Sequence, residues 1–366
     1  MTRVSGITSV LILTASLLVV VFSPAGSASP AGRNRGQGES VSQLPGNNFR
    51  KTTTRHFLIY SDADAAWTRA RAAILERTAL QVERAGKRLG IKYVPPDERL
   101  VCILFEHYDD YLRYAVQEDG VSSVWVAGYY ASRANHIVFY NDEDSPAARE
   151  ADDVLSDADR QAAEYRQKQL EAARKGRTEE ADFYANHYRN LQSQLKEERL
   201  RLREVINKTS LAKTVHEATH LLAFNTGLQS RNHDYPFWIT EGLATNFETD
   251  AAGSAFGPEY DYQPRREHFR ELLQNGELLP LRYFVSLSDV PDDSAEMADV
   301  MYHQAYALFM YLYRYQRSNL SAFLNDALDP PGGKMSPAEQ IKYFEDHFGP
   351  AEKVEKRWLR YETKNI

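Results

Sequence analysis

Two histidines and two glutamates in the middle of the chain have the spacing of a zinc site. His216 and His220 are four residues apart, and Glu217 stands next to the first. Glu241 follows twenty-one residues after His220. On a helix, residues four apart share one face, so both imidazoles can reach one ion while Glu217 faces a bound water. Catalytic zinc takes three histidine or carboxylate ligands and keeps a fourth position for water. The spacing therefore predicts Zn²⁺ held by the two histidines and Glu241, and hydrolysis with Glu217 as the general base.

The elements that would position these ligands are helical. Apolar residues flank the His-Glu-x-x-His motif on both sides, and Gly227 stands where such a helix commonly ends. A second helical segment is predicted from Glu241 to Glu248. The five-residue motif alone also arises by chance, so the helical context and the downstream glutamate carry much of the prediction.

Two other positions could have supplied the third ligand. The long zinc motif has a glycine three and a histidine six residues after the second ligand, but this chain has Ala223 and Thr226 there. His233 is the runner-up, although an isolated loop histidine is usually a solvated surface residue. Glu241 therefore remains the predicted ligand.

Side chains beyond the ligands are harder to assign from sequence. A metal-bound histidine usually donates a hydrogen bond from its second ring nitrogen to a carboxylate or carbonyl. Thr245, one turn beyond Glu241, has the position at which zinc enzymes that this motif resembles can carry such a partner. Asn246 and Glu248 are close to it. For Glu248, an exposed charge on the helix surface is the favoured interpretation.

The motif region resembles the glutamate-zincin (gluzincin) metallopeptidases, in particular the secreted peptidase MA-like domain proteins. Their third ligand is a glutamate on the next helix, often followed by Gly-Leu-Ala, as in Glu241-Gly242-Leu243-Ala244. A third block, which begins at Tyr302, resembles the helix of zinc aminopeptidases whose first tyrosine stabilises the oxyanion. The resemblance implies that role for Tyr302, although an ordinary core tyrosine is the alternative.

The resemblance also has consequences for substrate and fold. It implies a zincin-like α+β fold over about residues 50–360, with a substrate cleft between a sheet and a mainly helical lobe. The aminopeptidase segment Gly-x-Met-Glu-Asn is absent upstream of His216, so the expectation is an endopeptidase that acts on peptides or proteins. A predicted hairpin, residues 126–140, would bind extended substrate by backbone pairing.

The rest of the chain predicts a small sheet followed by helices. Strands are expected at His56–Tyr60 and Leu100–Phe105, and helices at Ala65–Leu89 and Tyr108–Val116. Later helices are predicted at Arg265–Asn275, Tyr302–Gln316, Leu320–Leu328 and Pro337–Phe348, before a charged last helix that contains Trp358.

The chain as a whole is predicted to have six regions. They are a signal peptide (1–28), a flexible linker (29–48), an N-terminal α/β sheet part (49–142), a charged helical-hairpin insertion (143–204), zinc-binding helices (205–250) and a helical C-terminal lobe (251–366).

The insertion has two interpretations. It could be a substrate gate or a partner-binding arm, or a solvated helical pair that stiffens the fold, and the second is favoured. Tyr184, Tyr188, Leu191 and Leu195 recur at helical spacing in its second arm, so they should pack on the first arm.

Composition and termini limit the function classes. The chain is 43% hydrophobic and its net charge is −7, which suits a globular protein and offers no footprint for nucleic acid. Arg3, the apolar run from Val10 to Phe22 and the small residues around Gly26 predict a signal peptide, hence a secreted or periplasmic and cell-envelope protein. A retained membrane anchor is the minority interpretation. The single cysteine, Cys102, is expected to be a buried thiol.

One rival function from another class stays open. A zincin fold can persist without turnover, so the chain could be a non-catalytic binding or scaffold protein of the envelope.

Overall fold

The computed structural model describes residues 48–121, 127–233, 235–291, 294–326 and 335–364. Within these ranges the chain forms a sheet and many helices, which confirms the predicted α+β class. The predicted signal peptide lies outside the described residues, as does the predicted linker except for its last residue. No helix of the described ranges is both long and apolar enough to cross a bilayer.

Five strands of the described chain form one sheet: β1 (Arg50–Thr53), β2 (Phe57–Ser61), β3 (Leu100–Phe105), β4 (Gly128–Ala131) and β5 (His136–Tyr140). Their order is β1-β2-β3-β5-β4, with β2, β3 and β5 parallel and each outer strand antiparallel to its neighbour. Every residue of β3 and β5 is buried, as expected for central parallel strands, and Cys102 on β3 is fully buried as predicted. β4 is an edge strand of this sheet.

The helices that follow the first strands cover the sheet. They are α1 (Ala65–Arg88) and α2 (Tyr108–Tyr114), and α2 continues into a π-helical turn at Ala115–Asp119. α2 packs on the sheet through buried aromatic rings: the Tyr111 ring centroid lies 4.8 Å from that of Tyr140 on β5. The sequence predicted both helices and the hairpin within a few residues.

The remaining helices are α3 (Pro146–Arg174), α4 (Thr178–Ala223), α5 (Phe237–Thr245), α6 (Gln263–Asn275), α7 (Leu281–Phe284), α8 (Ala295–Tyr315), α9 (Arg317–Asp326), α10 (Pro337–Phe348) and α11 (Ala351–Lys364). Two helices begin at least four residues earlier than predicted. The helix that carries Glu241 begins at Phe237, directly after Pro236, and ends at Thr245 rather than Glu248. α8 begins seven residues before Tyr302, because the Ser294 side chain accepts a hydrogen bond from the Met297 N–H and caps it.

The described chain divides into two compact units. One comprises residues 141–210, and the other comprises the described residues on either side of that segment. The first unit contains α3 and most of α4, which share a seam of buried apolar residues that includes Leu155, Leu191 and Leu195. α4 runs without interruption through the predicted boundary at residues 204 and 205, so the metal-motif segment, residues 211–223, is the last part of a 46-residue helix.

Candidate metal centre

The predicted ligands converge on one point. His216 and His220 lie on α4, where Val215 and Leu222 bury the sides of the helix. Glu241 comes from α5, whose residues are all buried. The three ligand groups face one another, with His216 Nε2 lying 3.1 Å from Glu241 Oε2 and 3.1 Å from His220 Nε2.

The spacing of these atoms fits a tetrahedral zinc ion. Two ligand atoms bound to one zinc at about 2.05 Å lie about 3.3 Å apart when the angle between them is tetrahedral. The third pair, His220 Nε2 and Glu241 Oε2, lies 3.4 Å apart, so all three separations are close to that value. Since the side chains are at most 2% exposed, a cation here would be held almost entirely by protein groups. The residues present therefore fit the ion that the sequence predicts.

Glu248 is the carboxylate behind the first histidine. His216 Nδ1 donates a hydrogen bond of 2.9 Å to Glu248 Oε1, which leaves Nε2 directed at the metal position. Glu248 is only 3% exposed, so its predicted role as a surface charge is wrong. It lies in the turn after α5, where the chain folds back toward α4.

Arg265 completes this group, although no sequence motif pointed to it. Its Nε donates to Glu248 Oε2 at 2.8 Å and its Nη2 donates to Glu248 Oε1 at 2.9 Å. A buried carboxylate of this kind needs such a partner, because desolvation of an unpaired charge is costly. The bidentate pair fixes the orientation of the carboxylate that holds His216.

Thr245, which the sequence favoured as the partner of a ligand histidine, has another role. Its hydroxyl donates a hydrogen bond of 2.7 Å to the carbonyl of Glu241, within its own helix.

His233, the alternative third ligand, is not at the site. It is buried rather than solvated, and its ring packs against Tyr235 with centroids 4.7 Å apart. Among the described residues, the ligand group that includes His216 contains only His220 and Glu241 besides it.

Glu217 has the position of a general base. It is 1% exposed, and its Oε1 has no hydrogen-bond partner within the described part of the chain. The backbone of Tyr130 on β4 forms a hydrogen bond with the Glu217 carboxylate. One carboxylate oxygen is therefore left for water or substrate, and the outer edge of β4 faces it.

The electrostatics of the ligand group favour a bound positive charge. Burial alone would lower the pKa of His216, but its hydrogen bonds with Glu241 and Glu248 outweigh burial and raise this pKa to about 9. Burial raises the pKa of Glu217 to about 8, and the negative charge of Glu241 adds to this effect. Burial would also raise the pKa of Glu241, but the charge of His220 and the hydrogen bonds with both histidines hold it far below its ordinary value.

Tyr302 lies next to the ligands. Its side chain on α8 is 3% exposed, and its ring centroid is 6.1 Å from that of His216 and 5.1 Å from that of Phe237. Burial raises its pKa well above 10, and the charges of Glu241 and Glu217 raise it further, so the phenol keeps its proton. The phenol is thus a hydrogen-bond donor beside the cluster.

The β4–β5 hairpin is tied to the end of the metal helix. Asn135, in the hairpin turn, and Asn225, just after α4, exchange two side-chain hydrogen bonds of 2.8 and 2.7 Å. Asn135 has a positive φ of 56°, a conformation that asparagine tolerates better than most residues. Tyr130 stacks on Phe224 with ring centroids 5.7 Å apart. These contacts hold the edge strand at a fixed place above the end of α4.

Comparison with known proteins gives a limited result. Residues 210–331 match the family described as "Protein of unknown function (DUF1570)". This region contains His216, Glu217, His220, Glu241 and Tyr302. No curated protein and no solved structure matches the chain.

Proposed function

We propose that this chain is an exported zinc metallopeptidase of the gluzincin type, which hydrolyses internal peptide bonds of peptide or protein substrates. The observation that carries the proposal is the convergence of His216, His220 and Glu241 at tetrahedral spacing, with Glu217 beside them. Zinc bound there would acidify a water and polarise the carbonyl of the peptide bond.

Glu217 would move the proton in this reaction. Its Oε1 would accept the proton of the attacking water as the water oxygen bonds to the carbonyl carbon. The same oxygen would then donate that proton to the amide nitrogen as the carbon–nitrogen bond breaks. The buried position of Glu217 next to the ligand group, with an Oε1 that has no hydrogen-bond partner among the described residues, supports this role.

Tyr302 would stabilise the oxygen of the former carbonyl group. That oxygen gains negative charge during the attack, and a protonated phenol can donate a hydrogen bond to it. The position of the ring beside His216 supports this assignment.

Substrate would pair with the outer edge of β4. This strand is the last of the sheet, and the backbone of Tyr130 already bonds to Glu217, so an extended peptide along it would pass the base. Backbone pairing along an edge strand does not require a chain terminus, which is consistent with cleavage of internal bonds. The hairpin contacts of Asn135 with Asn225 would keep this edge in place.

Glu217→Gln is the direct test. The variant should retain one zinc per chain at the ligand group, because Glu217 is not a ligand, and should lose peptide cleavage by about 10²–10⁴-fold. Metal content is measured by elemental mass spectrometry and cleavage on a diverse peptide library. Glu197→Gln, an exposed substitution on the same helix, should change neither quantity. Cleavage at an undiminished rate by Glu217→Gln would remove the base from the mechanism.

The same library distinguishes the rival function. If the zinc-loaded protein cleaves no peptide, and a phenanthroline-type chelator changes nothing, the chain is better described as a non-catalytic envelope binding or scaffold protein that keeps the fold.

A further inference from the structure

A second group of metal-ligating side chains lies on α6 and α8. It consists of His268, Asp299 and His303, whose ligand atoms all lie within 4.8 Å of one another. Asp299 and His303 are four residues apart on α8 and share one helix face, and His268 faces them from α6. His268 Nε2 lies 2.7 Å from Asp299 Oδ2, and His303 Nδ1 lies 3.5 Å from Asp299 Oδ1. The ring centroids of the two histidines are 4.3 Å apart.

We propose that His268, Asp299 and His303 form a second, outer site for a divalent transition cation such as Zn²⁺, Ni²⁺ or Cu²⁺. Two imidazoles and one carboxylate suit these ions, whereas Ca²⁺ and Mg²⁺ prefer oxygen ligands. This assignment does not depend on the proposed peptidase function.

The surroundings of the outer site support a cation that exchanges with solvent. The His268 and Asp299 side chains are 39% and 36% exposed, so an ion can enter without a change of fold. The second ring nitrogen of His268, Nδ1, lies 3.2 Å from Glu271 Oε2. A histidine ligand is typically oriented by such a carboxylate behind it.

The hydrogen bonds of His303 predict that the outer site binds more weakly than the inner one. Arg265 Nη1 can only donate, and it lies 3.4 Å from His303 Nε2, so the ring proton of neutral His303 is on Nδ1. That proton is donated to the Asp299 carbonyl at 2.7 Å. Ligation through Nδ1 would therefore require the ring proton to move to Nε2, and His303 would give up its hydrogen bonds with both the Asp299 carbonyl and Arg265. We expect the dissociation constant of zinc at the outer site to exceed that at the inner site by about tenfold or more.

The test counts metal ions per full-length chain. The protein is equilibrated in zinc buffers of increasing free concentration and analysed by elemental mass spectrometry, so peptide cleavage does not enter the result. The unaltered chain should rise from one zinc to two. Asp299→Asn and His268→Gln should stay at one over the same range, and His220→Gln should lose the tighter zinc and keep the weaker one. Circular dichroism checks that each variant is folded.

The chain provides a matched control at His347. His347 Nε2 lies 3.0 Å from Asp326 Oδ2 and its Nδ1 donates to the Tyr343 carbonyl at 2.8 Å, but no third ligand completes a group there within the described residues. His347→Gln should therefore still bind two zinc ions. The proposal is overturned if the unaltered chain, Asp299→Asn and His268→Gln bind the same number of zinc ions throughout the range.

Discussion

Glu248 illustrates how the proposed metal centre depends on side chains that would not contact the ion. Its carboxylate accepts hydrogen bonds from His216 and, through both oxygens, from Arg265. The negative charge would make the His216 ring a better donor to a cation bound on its other side, and the bidentate contact with Arg265 keeps the carboxylate from rotating. At the residue scale, the orientation of His216 is therefore set by two groups that no zinc motif contains.

Glu248→Gln should weaken zinc binding while leaving all three ligands in place. The amide is neutral and offers only one oxygen acceptor, so it orients His216 less firmly and leaves Arg265 partly unpaired. We expect zinc affinity to fall by about 10–100-fold. A competition titration with a chromophoric chelator measures this loss. The exposed Glu267→Gln on α6 is the control and should bind zinc like the unaltered chain; equal affinity in both variants would contradict the role of Glu248.

Part of the convergence of His216, His220 and Glu241 could be predicted from the sequence, because the spacing of the two histidines follows from helix geometry. His216 and His220 had to share a face once α4 formed. Glu241 was predicted as the third ligand because it follows an aromatic-rich stretch and was expected to open a second helical segment. Glu248 and Arg265 could not be assigned in this way. They meet His216 through the turn after α5 and through the placement of α6, and neither contact has a fixed spacing along the chain.

At the scale of elements, the position of Glu241 depends on how closely α5 approaches α8. Gly242 allows this approach: a Cβ atom there would lie 2.8 Å from the Ala305 carbonyl oxygen and 2.8 Å from Phe309 Cβ. Asn246 adds a hydrogen bond of 2.9 Å from its side chain to the Tyr306 carbonyl. The contact between the two helices thus places both the third ligand and, one turn before Ala305, Tyr302.

Gly242→Ala should consequently destabilise the protein and weaken zinc binding together. The added methyl meets backbone and Cβ atoms that cannot rotate away, and overpacking of this kind typically costs about 1–3 kcal/mol. If α5 moves to relieve it, Glu241 moves as well. Chemical denaturation with zinc and with a chelator measures both effects. Gly253→Ala is the matched control, since its Cβ would have no described atom within 4 Å. If Gly242→Ala is as stable as this control, the contact between α5 and α8 can accommodate an added methyl group.

Two of the stretches that the sequence analysis missed lack an apolar pattern. β1 consists of Arg50, Lys51, Thr52 and Thr53 and is mostly exposed, so nothing in its composition marks a strand, and only pairing with β2 defines it. The first two turns of α8 are missed for a similar reason, because Ala295 and Glu296 are exposed and few residues before Met301 are buried. By contrast, β3 is apolar throughout and was predicted to the residue.

At the scale of the whole molecule, one helix, α4, contributes residues to both compact units. The first 33 residues of α4 belong to the unit of residues 141–210, and the segment with His216 and His220 belongs to the other. The first unit has its own apolar seam between α3 and α4. All three predicted ligands of the inner site lie in the second unit. Metal binding should therefore stabilise that unit against unfolding.

Removal of the metal should therefore loosen the two units unequally. Zinc at a free concentration of about one hundred times its dissociation constant stabilises the state that binds it by about 2.7 kcal/mol, which corresponds to about 100-fold in an opening equilibrium. On chelation, amides of residues 211–223 and of α5 should exchange hydrogen faster by up to this factor, while amides of residues 146–195 should change little. Hydrogen exchange with mass spectrometry resolves these segments. His220→Gln, which lacks a ligand, should show a much smaller response to the chelator. An equal acceleration in both units would mean that they open together, so that metal at the inner site stabilises the entire described chain.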